Sequence, residues 1–353
     1  MVEVAVAKRG GAVLGSGWAE DPSPKIIFCG PKKSGKTSIL RVLFGRVSPH
    51  ETMYLEPTQG IRLEPASPNR LMNFRLAEVS GNWPWEDSPA DYDAALFGRC
   101  MSLVCVADAA DEAQGQLSHS LALARRVAVR AWRVNPAINV EIFLHKTDRN
   151  FRFESDMFSS GPAGFSAHAP GEQKLAFVRD VSNQFSDQLR AAGIAKPEFV
   201  CHCTSIFDST LHEAFSRVVQ RSLLKDGRIE QLMDLLVSSS NLDKAFLFDV
   251  PSKVHFATDT TPSDPTLLAL MQDLLEVVAD FSGIYAGNQG GGLDESAGGL
   301  IGLNNGQNLY MRLLDDTQLA LVCLIREGHC DRLHLLNRNI SNFSRALTRT
   351  VAK

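Results

Sequence analysis

The chain has 353 residues, 44% of them hydrophobic and 22% charged, which is enough to bury one full core and, at the usual domain size of roughly 100 to 200 residues, a second. Its net charge of -4 gives no positive field that would draw nucleic acid, and no block of like charge stands out, so nucleic acid is not an expected partner.

Residues 1–23, rich in Gly, Ala and Ser, read as a flexible leader. Short β-branched or aromatic runs then alternate with longer helical patterns. Strands are expected at 25–29, 71–77, 102–107, 140–144 and 199–203, and helices at 36–45, 116–133, 173–192 and 209–224. That alternation predicts an α/β unit with a mostly parallel sheet flanked by helices. The stretch 151–171, with Ser159-Ser160-Gly161-Pro162 and Pro170-Gly171, breaks the pattern and reads as a surface insertion.

From Arg228 the order changes. A helix at 229–238 leads to strands at 245–250 and 253–258. A long helix follows with Leu267, Leu270, Met271, Leu274, Leu275, Val278 and Phe281 on its core stripe. After a Gly-rich loop at 287–299 come strands at 308–314 and 319–325 and a last helix at 333–350. This predicts a separate α+β domain without a catalytic motif of its own. The cysteines at 29, 100, 105, 201, 203, 323 and 330 sit mostly in apolar runs and read as reduced core thiols. Cys201-His202-Cys203 lacks the second ligand pair that a zinc site needs. No apolar run reaches the roughly 20 residues that span a bilayer, and the ends carry no lipidation signal, so direct membrane insertion is not expected.

Gly30-Pro31-Lys32-Lys33-Ser34-Gly35-Lys36-Thr37 matches G-x-x-x-x-G-K-[ST] between an expected strand and an expected helix. The loop from Gly30 through Lys33, Ser34 and Gly35 turns backbone N–H groups toward phosphates. The helix start at Lys36, Thr37 and Ser38 adds partial positive charge, Lys36 neutralises the β and γ phosphates, and the Thr37 hydroxyl ligates Mg2+. His145-Lys146-Thr147-Asp148, at the end of a later strand, points to the base. The Asp148 carboxylate can accept from guanine N1–H and its exocyclic amine, a donor pair that adenine lacks, while the Lys146 stem lies along the base plane. Thr204-Ser205-Ile206 is placed to offer backbone N–H groups from Ser205 and Ile206 to guanine O6. Thr58 is the candidate to close over Mg2+ as a first switch. For the second switch, Glu78-Val79-Ser80-Gly81-Asn82 stands where D-x-x-G-Q is usual. Glu78 holds a metal-bound water, Gly81 offers its N–H to the γ phosphate, and Asn82 is one methylene short of the glutamine that orients the attacking water, so slow hydrolysis is expected.

The chain resembles the Rag (Gtr) GTPases, and within them the C/D, or Gtr2, type. The residues that carry the resemblance are Arg41-Val42-Leu43-Phe44-Gly45-Arg46-Val47-Ser48-Pro49-His50-Glu51-Thr52-Met53-Tyr54-Leu55-Glu56-Pro57-Thr58, Val134-Asn135-Pro136 leading to His145-Lys146-Thr147-Asp148, Thr204-Ser205-Ile206-Phe207-Asp208, and Lys244-Ala245-Phe246-Leu247-Phe248-Asp249-Val250. The resemblance implies a Ras-like α/β P-loop G domain at 24–226 followed by an α+β roadblock-type dimerisation domain at 227–353. It implies GTP/GDP and Mg2+ as cofactors and an A/B-type Rag GTPase as heterodimer partner. It further implies a cytoplasmic protein recruited to the lysosome or vacuole by a roadblock-containing scaffold, relaying amino-acid status to TOR complex 1. Glu78 and Asn82 depart from the Asp and Gln usual in the family. The alternative expectation is therefore a switch-deficient, nucleotide-binding structural partner of an A/B-type chain.

Overall fold

The computed structural model describes residues 23–65, 74–86, 90–110, 115–148, 170–223, 227–261, 265–285, 298–314, 318–326 and 333–351. The expected leader, except for its last residue, lies outside them, as do most of the insertion expected at 151–171 and most of the loop at 287–299. By contact density the chain forms two compact units, one running as far as Ala214 and the other starting at Phe215.

The first unit holds a six-stranded sheet in the order β2-β3-β1-β4-β5-β6, from β1 (Lys25–Cys29), β2 (Ile61–Pro65), β3 (Arg75–Val79), β4 (Cys100–Asp108), β5 (Asn139–His145) and β6 (Phe199–Thr204). Every neighbouring pair is parallel except β2 with β3. Its helices are α1 (Lys36–Gly45), α2 (Ala90–Phe97), α3 (Gln116–Val134) and α4 (Pro170–Ala191), with a 3-10 turn at Pro49–Tyr54, while α5 (Thr210–Leu223) begins in this unit and continues past Ala214 into the second. One sheet face contributes Ile27, Cys29, Leu103, Cys105, Val140 and Ile142 to a core closed by Leu121, Val127 and Ala128 of α3 and Phe185 and Leu189 of α4. The alternate residues Ile26, Phe28, Val104, Val106 and Phe143 are buried as deeply. A sheet covered on both faces requires near-continuous apolar strands, which explains why β1 and β4 were legible.

Three elements of this unit depart from expectation. β2, Ile-Arg-Leu-Glu-Pro, is a half-exposed edge strand in which Arg62 pairs with Glu64 at 2.6 Å, and its alternation of apolar and charged residues is too short to stand out as a strand. α2 carries only a weak apolar stripe, although Leu96 and Phe97 are buried. β3 runs from Arg75 through Glu78 to Val79, residues 71–73 of the expected strand lying outside the described residues; Glu78, only 2% exposed, is a strand residue and not part of the following loop.

The second unit is an antiparallel five-stranded sheet in the order β8-β7-β11-β10-β9, from β7 (Lys244–Asp249), β8 (His255–Thr258), β9 (Gly298–Gly302), β10 (Gln307–Leu314) and β11 (Leu319–Arg326). Its helices are α6 (Arg228–Ser240), α7 (Pro265–Tyr285) and α8 (Leu333–Val351), with α6 packed on α8. Leu268, Met271, Leu274 and Leu275 of α7 meet Phe246, Phe248, Met311 and Val322 in the core. In the expected stripe Leu270 is 38% exposed, and the Phe281 side chain lies outside the described residues. β8 starts two residues later than expected because Lys253 takes a left-handed turn, with φ 55. β9, expected as part of a loop, is a mostly exposed Gly-rich strand held by its ladder to β10, and such a strand leaves no alternating apolar signal. The α/β unit followed by an α+β unit is the fold class expected from the sequence.

Candidate functional site

In an open parallel sheet the ligand crevice lies beyond the carboxyl ends of the strands. Five strands of the first unit end there in chemistry-bearing residues: β1 in Gly30, β3 in Glu78, β4 in Asp108, β5 in His145 and β6 in Thr204. A cavity of about 500 Å3 is lined by Lys33, Gly35, Lys36, Thr37, Ser38, Thr58, Glu78, Gly81, Asn82, His145, Lys146, Asp148 and Ile206, all sequence-predicted site residues. Gly30, Ser34 and Ser205 do not line it.

At one end the loop before α1 wraps a cationic centre. Lys36 is 5% exposed, and its Nζ donates to the Gly30 and Pro31 carbonyls at 2.9 and 3.0 Å. Burial lowers its pKa from the ordinary lysine value, and the nearby Glu78 carboxylate opposes that shift. The Ser34 hydroxyl is buried and has no hydrogen-bond partner among the described residues. Gly35 has φ 101, and a Cβ there would meet His145 Cδ2 at 2.5 Å, so the turn accepts only glycine while the imidazole sits against it. Gly81 is equally constrained, since its Cβ would meet the Lys32 backbone N at 2.4 Å.

Three oxygens converge beside Lys36. Thr37 Oγ1 donates to Glu78 Oε1 at 2.5 Å, Thr58 Oγ1 donates to the same oxygen at 2.9 Å, and the two hydroxyls lie 3.1 Å apart. Two hydroxyls and a carboxylate form a hard oxygen donor set, and they bring together the three residues predicted to hold metal. Among the described residues no group of three His, Cys, Asp or Glu offers a different metal site.

At the other end, Asp148 Oδ1 accepts from Ser205 Oγ at 2.8 Å, and that hydroxyl in turn accepts the Phe207 N–H at 3.1 Å. The Ser205 N–H, expected to face guanine O6, donates to Thr210 Oγ1 at 3.1 Å in this structure. Lys146, with φ 66, donates to the Lys33 carbonyl at 2.8 Å and forms an ion pair with Asp108 at 2.5 Å. Its stem thus spans from β5 to the loop before α1. His145 is 1% exposed and bonded through Nδ1 to Thr204 Oγ1 at 3.0 Å. Burial, with Lys146 adding to it, lowers its pKa to about 4, so the ring is neutral near pH 7.

Sequence reasoning missed Asp108, whose only signal is its place at the end of β4, in register with His145. It also missed Phe207, Pro49, Thr52 and Met53, which line the cavity from segments without a motif. After Asn82 the chain returns to the core. Trp83 and Trp85 are 7% and 6% exposed, Trp85 stacks on Phe97, and its carbonyl accepts from Arg130, which is also bonded to Asp93.

A family model described as "Gtr1/RagA G protein conserved region" matches residues 25–161 and 166–280. Ras-related GTP-binding protein C of Homo sapiens is 33% identical over 334 residues, covering 94% of this chain and 77% of its own length. GTP-binding protein gtr2 of Schizosaccharomyces pombe is 30% identical over 330 residues, covering 92% and 96%. Among solved structures, Myxococcus xanthus MglB is similar at 17% identity and a TM-score of 0.29, over 36% of this chain and 96% of that one. With a family model matched across more than half of its residues and relatives this similar along 77% and 96% of their own lengths, the chain belongs to the Gtr1/RagA family of G proteins and to its C/D, or Gtr2, type, and is a GTPase.

Proposed function

We propose that the chain is the C/D-type half of a Rag heterodimer, a slow GTPase whose nucleotide state directs assembly and relays amino-acid status to TOR complex 1. In this reading the second unit is a roadblock-type domain that pairs with an A/B-type Rag chain. A scaffold of other roadblock proteins holds the pair at the lysosome or vacuole. We place the boundary between the two domains after α5, at 226/227.

The observation that carries the switch is the meeting of Thr37, Thr58 and Glu78 beside Lys36, because it joins the start of α1 to the segment before β2 and to the end of β3. Mg2+, when bound by these oxygens, supplies charge neutralisation at the β and γ phosphates. Lys36 holds the same phosphates, and the Gly81 N–H faces the γ phosphate from against the Lys32 backbone. Asp148 selects guanine, with Ser205 fixing its carboxylate and Asp108 fixing Lys146. Asn82 carries a side chain one methylene shorter than glutamine, which in this reading makes it a weak orienter of the attacking water. Loss of the γ phosphate frees Thr58 and Gly81 and changes the surface offered to effectors.

A second reading, a nucleotide-bound partner that does not switch, is favoured by the burial of Trp83 and Trp85, which fastens the loop immediately after Asn82. Single-turnover GTP hydrolysis by the purified heterodimer separates the two. The switch reading expects slow hydrolysis that Asn82→Gln or an activating protein accelerates. If neither form hydrolyses GTP and no activating protein changes that, the static reading stands.

A further inference from the structure

We propose that His50 and Phe207 form an aromatic clasp across the base end of the cavity, which sets how long a nucleotide stays and couples the base-reading loop to the segment that carries Thr58. The proposal rests on the reading that a guanine nucleotide lies along this cavity with its base at Asp148.

The two rings come from segments far apart in sequence. His50 sits in the 3-10 turn Pro49–Tyr54 and Phe207 follows β6, yet their centroids are 5.6 Å apart with planes inclined at 52°, within the range of favourable tilted aromatic pairs. Phe207 is 53% exposed, so core burial does not hold it in place. Its position is fixed from two sides. Its own N–H is bonded to Ser205 Oγ, which is bonded to Asp148, and its ring meets His50. Phe207 also lines the cavity, together with Pro49 and Met53 of the turn and Ile206 of its own loop, so the apolar wall near Asp148 is built from both segments at once.

Two consequences follow. A base seated at Asp148 leaves the cavity past this wall, and the pair of rings must part for it to go. Parting them moves the turn at 49–54, and that turn runs on through Leu55, Glu56 and Pro57 to Thr58, whose hydroxyl is held by Glu78. The base end and the phosphate end of the cavity are thereby linked through about ten residues of backbone rather than through the nucleotide alone.

The test measures dissociation of fluorescent mant-GDP, chased with excess GDP, from the full-length chain with whatever partner co-purifies. Phe207→Ala and His50→Ala are each expected to speed release roughly threefold to tenfold, the range an aromatic pair supports. The double variant should be no faster than the faster single one, and Phe207→Tyr, which keeps the ring, should restore the wild-type rate. Both sites are at the surface, so thermal unfolding midpoints should stay unchanged. Unaltered release in either alanine variant overturns the clasp, as does a double variant whose effect is the product of the two singles. A wild-type chain that retains no mant-GDP overturns the nucleotide reading itself.

Discussion

Replacing Ser205 with alanine isolates one strut of the base site. The side chain is fully buried, it donates to Asp148 at 2.8 Å, and it accepts the Phe207 N–H at 3.1 Å. A hydrogen bond to a carboxylate contributes about 1.5 to 3 kcal/mol net, and the Phe207 N–H would lose its partner as well. Asp148 is half-buried, so water replaces part of the lost bond, and about 1.5 to 2 kcal/mol of orientation remains at stake. That corresponds to roughly 10- to 30-fold weaker GDP binding, with no steric penalty, because a hydroxyl is simply removed. Equilibrium titration with mant-GDP and mant-ADP reads the effect. ADP should change little, since adenine does not present the donor pair that an oriented Asp148 accepts. Equal weakening of GDP and ADP, or GDP affinity within about twofold of wild type, would refute the claim that Ser205 acts by orienting this carboxylate.

Asp148→Asn should weaken GTP and favour xanthosine triphosphate, whose 2-oxo group accepts from the new amide; a competition titration that leaves GTP preferred as before would falsify the assigned base pocket. Gly35→Ala places a Cβ at 2.5 Å from the buried His145 ring in a left-handed backbone, so nucleotide retention after gel filtration should vanish and stability should fall by more than about 2 kcal/mol; a variant that still co-purifies with nucleotide contradicts this. Stability should also decline on acidification. His145 has a folded pKa of about 4 against roughly 6.5 unfolded, so between those values the unfolded state binds more protons, and about 2 kcal/mol is lost from pH 7 to pH 5. His255, lowered to about 4 by burial, acts in the same direction in the second unit. Urea midpoints across this range should flatten in His145→Asn, and an unchanged slope would count against a buried neutral imidazole.

The elements legible in the sequence were those whose physics is local or repeated. β1 with its glycine-rich turn, the amphipathic α3 and the apolar runs of β4 and β5 each carry their own signal, because both faces of the sheet are buried. β2 and β9 were not legible: β2 alternates over only four residues before Pro65, and β9 is a Gly-rich edge strand held by backbone ladder bonds to one neighbour. In the cavity, residues with a motif were found and residues that act through shape were not. Asp108 becomes meaningful only once the parallel register of β4 and β5 sets it opposite His145, beside Lys146. Glu78 is the instructive intermediate case: the sequence marks it as a metal-site acid, but only the fold shows it closing two threonine hydroxyls from within a strand.

The tryptophans that follow Asn82 limit how far a signal from this loop can travel. Lifting either indole out of the core would forfeit roughly 4 to 6 kcal/mol of buried area, more than the departure of one phosphate contact readily supplies. Between Glu78 and Trp83 that leaves the short span from Ser80 to Asn82, itself tied to Gly60 and Trp83 by backbone hydrogen bonds of Ser80, like a latch on a bolted plate. If this loop switches as proposed, a protein that reads it there senses a displacement of about three residues next to the phosphate loop.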